Sequence, residues 1–288
     1  MKLLIDLKYD TQEIKNINEQ LNQAIKKHKE ALLDSVTDAP QRIIIRRYLS
    51  ILHELCQQAC ACLDAKACST LEALSRVIME QSANMLYISM DGGSNARALL
   101  RSSKQLTESN GKAWADHLAS QSAANPAAQA RQASGASMLE RIDKRWPDIK
   151  RYPGGKGLFA ALGWESHYYA FYSPLCDSVH SFSDEMSALV DFSDLYSISE
   201  AEAKKSLTYW NKERLRLGVY HYAVAIGLRT EAFSRCCDFL APDLNEESSE
   251  WLLKKINELI IRHDLFDHSR LKEMEFGIAK LDEFVINV

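Results

Sequence analysis

A chain of 288 residues, 46 % hydrophobic and 26 % charged, is long enough for one large core or two smaller helical lobes. Its formal charge of −4 argues against binding nucleic acid through bulk electrostatics, while leaving room for a local basic patch. With only 11 Gly and 6 Pro the chain favours long helices over a many-turned β fold, and no run approaches the ~20 apolar residues of a membrane span.

Residues 10–33 carry Ile14, Ile17, Leu21, Ala24, Ile25 and Leu32 at three- and four-residue spacing, which predicts an amphipathic helix. Asp38-Ala-Pro40 breaks it, with Pro40 suited to a first helical position. A second helix over residues 41–63 is apolar along Ile44, Tyr48, Ile51, Leu55 and Ala59. A third runs from Ser69, which with Glu72 matches a capping box, to Met90, where Asp91-Gly-Gly93 stops it. The Ala-, Ser- and Gln-rich stretch 94–145 reads as two helices broken near Asn125-Pro126, with a weakly apolar, protruding hairpin around 119–136.

Residues 147–157, rich in Pro and Gly, form the clearest loop. Helical patterning resumes over 164–190 and 199–240, the latter opening on a second box at Ser199 and Glu202. After a polar break at 242–249 a last pair is expected at 250–263 and 271–284. No alternating run is long enough for a sheet, so the fold class is all-α, a multi-helix bundle of about nine or ten helices. Three regions follow: an N-terminal helix (1–40), a helical core domain holding the candidate site (41–190), and a C-terminal helical region packing on it (191–288).

The seven Cys form no secreted disulfide pattern, and Asp6 interrupts the first apolar run, so a reduced, cytoplasmic chain without a signal peptide is expected. Cys56, Cys60, Cys62 and Cys68, with His53 nearby, lack the paired knuckles of structural zinc and read as helix-packing thiols. No metal and no cofactor is expected.

Two helices combine apolar surface with a polar stripe. On the third, Glu72, Arg76, Glu80 and Asn84 are four apart and share a face, with Tyr87 close to that line. On the 164–190 segment, Tyr169, Ser173, Asp177, His180 and Asp184 form a stripe, and Tyr168 and Tyr172 flank it. The plain alternative is a solvated face laced by i,i+4 pairs and a satisfied interface histidine. As a site, Arg76 would stabilise phosphoryl oxygens, His180 would move protons, and Glu80 would hold Arg76 or act as partner base. Ser173 or Tyr172 would position substrate. The 147–157 loop would bring Lys150, Arg151 and Lys156 to a polyanion, although Lys156-Gly157 lacks the Ser/Thr of a nucleotide-binding phosphate loop.

The run Ala73-Leu-Ser-Arg-Val-Ile-Met-Glu80, followed by Tyr168-Tyr169, Tyr172-Ser173 and Val179-His180-Ser181, resembles a bacterial helical family known as a domain of unknown function. Trp146 and Leu162-Gly163 extend the resemblance, which covers roughly residues 45–190. By helical architecture that family is similar to HEPN domains, which include metal-independent RNases of toxin–antitoxin and phage-defence systems. Such RNases carry Arg-x4–6-His on one helix; here that spacing occurs at Arg47/His53, Arg216/His221 and Arg262/His268, while His180 has no Arg at that distance.

The resemblance implies an RNA-cleaving toxin or phage-defence effector, an endoribonuclease acting without metal. The competing expectation is a non-catalytic module of antitoxin or immunity type that binds a protein partner or a nucleotide. Expected partners are RNA or a nucleotide, a cognate protein, and a second copy in a homodimer; no membrane is expected.

Overall fold

The computed structural model describes residues 3–121, 125–181, 200–244, 248–275 and 284–288. It is an all-α bundle with one short strand pair. The helices are α1 (Leu7–Asp34), α2 (Ala39–Ala65), α3 (Cys68–Ser89), α4 (Ser94–Ser120), α5 (Pro126–Arg145), α6 (Gly155–Ala161) and α7 (Glu165–His167). A π-helical turn, Tyr168–Tyr172, leads into α8 (Ser173–Ser181), and α9 (Glu200–Leu240) and α10 (Ser248–Glu275) complete the bundle.

Helix α9 lies at the centre. From Leu215 to Cys237 it is apolar almost all round, with Val219, Tyr222, Ala223, Ala225, Ile226 and Phe233 buried, as a helix surrounded by other helices requires. Its main neighbour is α3, buried along Leu71, Ile78, Met79 and Ala83–Ile88. Three hydroxyls inside this apolar contact bond back along their own helices, while the buried Ser82 Oγ finds no partner among the described residues. Ser75 donates to Leu71 O at 2.8 Å, Ser89 to Met85 O at 2.8 Å, and Thr230 to Ile226 O at 2.8 Å, so no water is needed to satisfy them. Gln41 of α2 closes the end of α3, donating to Ile88 O and Asp91 O at 2.7 and 2.6 Å. Helices α1 and α10 pack on the other side of α9.

Helices α4 and α5 make the expected hairpin around Asn125, whose side chain accepts from Ala127 N at 2.9 Å as an N-cap. Small residues set its tight packing. A Cβ on Gly111 would meet Gln132 N at 2.6 Å, and one on Gly135 would meet Glu108 Cα at 2.7 Å.

Several local expectations are corrected. The third helix begins at Cys68 with Ala67 at its cap and no side-chain cap bond, so Ser69 and Glu72 form no capping box. Tertiary partners claim both: Ser69 Oγ accepts from Arg214 Nη2 at 2.9 Å, and Glu72 lies 3.6 Å from His221 Nδ1. Ser199 of the second box lies outside the described residues. The loop ends at Gly154, and Gly155-Lys-Gly157 belongs to α6. The expected last helix pair is one continuous α10 up to Glu275, because Phe266 is buried where a break was expected.

Strands were not expected, yet β1 (Leu3–Asp6) and β2 (Phe284–Asn287) pair in parallel, Leu3 opposite Phe284 and Ile5 opposite Ile286. Ile5 and Ile286 are buried, and four residues a side are too few for alternation to register. Among the described residues no helix is long and apolar enough to cross a membrane.

Candidate functional site

Arg76, Glu80 and Asn84 do share one stripe of α3, and α8 covers it. The residues that meet the stripe are Tyr172, at the end of the π-helical turn, and Cys176 of α8, one position away from the expected Tyr169–Ser173–Asp177 line. The π-helical turn over Tyr168–Tyr172 is responsible: widening the helix by one residue per turn rotates Tyr172 inward and leaves Tyr169 exposed.

The Arg76 guanidinium lies over the Tyr172 ring, 5.5 Å from its centroid, and its Nε donates to Cys176 Sγ at 3.0 Å. Its Nη2 is 4.0 Å from Glu80 Oε2, the loose limit of an ion pair. Tyr172 Oη donates to the same Glu80 oxygen at 2.9 Å. Tyr152, from the loop, hydrogen-bonds Asn84 and packs edge-on to Tyr87, 5.9 Å between centroids. Beside it Lys150 reaches Asp91 Oδ2 at 3.2 Å. The side chains of Arg76 and Glu80 keep 22 % and 38 % of their exposure, so solvent reaches one side of the cluster.

Electrostatics keep the phenols protonated. Burial and the Glu80 carboxylate push Tyr48, on the facing surface of α2, up to about 12. Burial first, and then neighbouring acidic groups that include Glu80, push Tyr152 and Tyr172 further up. For Arg76 burial works downward, but hydrogen bonds from Tyr172 and Cys176 outweigh it and the guanidinium pKa rises. The result is a permanent cation among neutral phenols, with the Tyr172 and Tyr152 hydroxyls donating to Glu80 and Asn84.

Of the expected site residues, Arg76, Glu80 and Tyr172 come together, and Ser173 follows directly as the first residue of α8. Lys156 and Arg151 are exposed. Lys156 is occupied with Glu165 at 3.5 Å and sits 4.8 Å over the ring of Tyr169. The His180 side chain lies outside the described residues, as does Asp184. Tyr48, Tyr152 and Cys176 complete the cluster without having been expected. Cys176 had a signal, standing four residues after Tyr172; Tyr48 and Tyr152 come from separate elements and had none.

A second polar cluster joins α1, α9 and α10. Arg216 is fully buried, donating to Glu213 at 2.7 and 2.8 Å and to Asp267 at 2.6 Å. Its Nη1 faces His263 Nδ1 at 3.3 Å, and His263 Nε2 faces Asp10 Oδ2 at 3.0 Å. A guanidinium can only donate, so Nδ1 accepts and Nε2 carries the proton toward Asp10. His263 also stacks on Tyr220 with rings 12° from parallel, and Arg262 pairs with Asp10.

This disposes of two of the three Arg-x-His spacings. Arg216 turns to His263, not His221, and Arg262 turns to α1 while His268 is exposed. In the third, Arg47 and His53 are both exposed. All seven thiols are free, and burial raises the Cys56 pKa against the lowering effect of Arg229. Among the described residues no group of three or more His, Cys, Asp or Glu is placed to hold a metal ion.

Comparison with protein-family models, curated proteins and solved structures finds no match to this chain.

Proposed function

We propose that the α3–α8 face binds RNA and cleaves it without a metal ion, as a bacterial toxin or phage-defence effector does. One observation carries the reading: Arg76 is fixed by Cys176 and the Tyr172 ring, yet its carboxylate stands at 4.0 Å on a side open to solvent. Such a guanidinium can exchange a loose internal partner for a phosphodiester. Exposed Tyr169 with Lys156 over its ring supplies an aromatic and a charge on the same segment, as single-stranded RNA binding uses. In this reading His180 takes the proton of the attacking 2′-hydroxyl, the P–O5′ bond breaks as a 2′,3′-cyclic phosphate forms, and the proton passes to the departing 5′-oxygen. Arg76 offsets charge on the phosphoryl oxygens and Glu80 orients Arg76.

The alternative, a non-catalytic module for a nucleotide or protein partner, draws on a different observation. Tyr172, Glu80, Arg76 and Cys176 already satisfy one another across the two helices. Purified wild type, Arg76→Ala and His180→Ala proteins, incubated with total RNA in chelator, separate the two readings. Cleavage lost in both variants is expected. RNA bound but uncut by the wild type leaves the binding module, and neither binding nor cleavage overturns both RNA readings.

A further inference from the structure

The buried guanidinium of Arg229 lacks what every other feature of this bundle would lead it to have. It comes from the centre of α9, is 1 % exposed, and is met by two neutral amides and by the Cys56 thiol, whose pKa burial raises. Asn18 Oδ1 accepts from Nη1 at 2.8 Å and Asn22 Oδ1 from Nη2 at 2.7 Å, while Nε has no hydrogen-bond partner. Among the described residues no carboxylate stands within ion-pair distance of it. Arg216, on the same helix and equally buried, is met by Glu213 and Asp267. Burying a cation without a counter-charge is costly, and two amide oxygens solvate it without neutralising it.

Arg229 lines a cavity of about 690 Å³ between α1 and α2, a size within the range of small-molecule sites. Lys26, Lys29 and His53 line it as well. Asn22, whose oxygen is held by Arg229, lines it too, and its amide N–H groups make no described hydrogen bond. Of the two acids at its edge, Glu19 keeps its charge and accepts only from the neutral Gln23 at 3.2 Å, and Glu30 pairs with Arg46 at 3.4 Å. The lining thus carries three cations against two carboxylates, one of them already paired. The balance of charge is therefore positive, concentrated where the cavity reaches the buried Arg.

We propose that this cavity binds a small phosphate-bearing ligand, whose phosphate completes the ion pair of Arg229 while Lys26, Lys29 and His53 close over it. This site is separate from the α3–α8 cluster and does not depend on the RNA reading.

The test is calorimetry and thermal unfolding at constant ionic strength, with inorganic phosphate, pyrophosphate and AMP as probes and acetate as control. Wild type is expected to bind at least one phosphate probe, with acetate silent. Binding of AMP alone points to a phosphorylated metabolite; binding of inorganic phosphate with equal affinity points to the free ion. The Lys26→Ala/Lys29→Ala double variant, altered only at exposed or half-exposed positions, should weaken binding about tenfold, equivalent to roughly 1.4 kcal/mol. Arg229→Met, checked for folding by its cooperative unfolding, should abolish binding of every phosphate probe. No binding of any phosphate probe by wild type, or binding unchanged in the double variant, overturns the proposal. So does a folded Arg229→Met protein that binds the phosphate probes as wild type does.

Discussion

The two polar clusters of this bundle are made of the same materials, and their surroundings give them opposite characters. Around Arg216, two carboxylates at 2.6 and 2.7 Å and a stacked imidazole fill every direction, and the guanidinium is sealed from solvent. Around Arg76, the carboxylate stands at 4.0 Å and one side is open. A sealed, fully paired charge set specifies how α1, α9 and α10 dock, because any other packing leaves a charge buried alone. Arg76 ties α3 to the Tyr172–Cys176 segment through the Cys176 thiol and the Tyr172 ring, but its loosely paired side stays open to solvent. Arg229 is a third state: sealed like Arg216, but without its anion.

The contrast can be broken by experiment. The largest effect is expected at the sealed cluster, where Arg216→Ala leaves Glu213 and Asp267 with Arg270 as their remaining cation and should cost about 3 kcal/mol in urea unfolding. A loss below about 1 kcal/mol would mean the network is not what holds α10 in place. The same cluster has a pH signature. Burial acts to raise the Glu213 pKa, but hydrogen bonds and charge from Arg216 and Arg270 bring it below its ordinary value of 4.5. Its contribution is therefore complete above that value and disappears as pH falls through the lower folded one, so Glu213→Gln should flatten the acid limb of stability against pH.

On the α3 side the signature lies in alkali. Tyr48 is raised from 10.0 to about 12, so its contribution is complete below pH 10 and is lost as pH rises toward 12. Two units correspond to roughly 2–3 kcal/mol, which Tyr48→Phe should remove from the alkaline limb. Unchanged alkaline unfolding in that variant would mean the Glu80 side of the site is wetter than its geometry shows.

Outside both clusters, Gly135→Ala should cost about 1–3 kcal/mol, read as a lower melting temperature, because its Cβ meets the backbone of Glu108. The smallest stability effect belongs to Arg76→Ala, under about 1 kcal/mol for a half-exposed pair, and on the RNA reading proposed above the same variant should lose RNA binding. A variant that unfolds as readily as Arg216→Ala would erase the distinction between the two clusters.

Periodicity alone placed the first three helices to within a few residues, the Asn125-Pro126 break, and the shared face of Arg76, Glu80 and Asn84. These are properties of a single helix, whose 3.6-residue repeat is written locally in the chain. Tertiary structure decided the rest. It chose Tyr172 and Cys176 over the Tyr169 line through a π-helical turn, and it joined β1 to β2 from opposite ends of the chain. It also decided that both Arg would be sealed and brought Asp267 to Arg216, whereas the Glu213 partner three residues before Arg216, with no counterpart at that spacing around Arg229, was already written in the sequence. Burial and pairing depend on what other elements bring within a few ångströms, and a one-dimensional pattern carries no record of that.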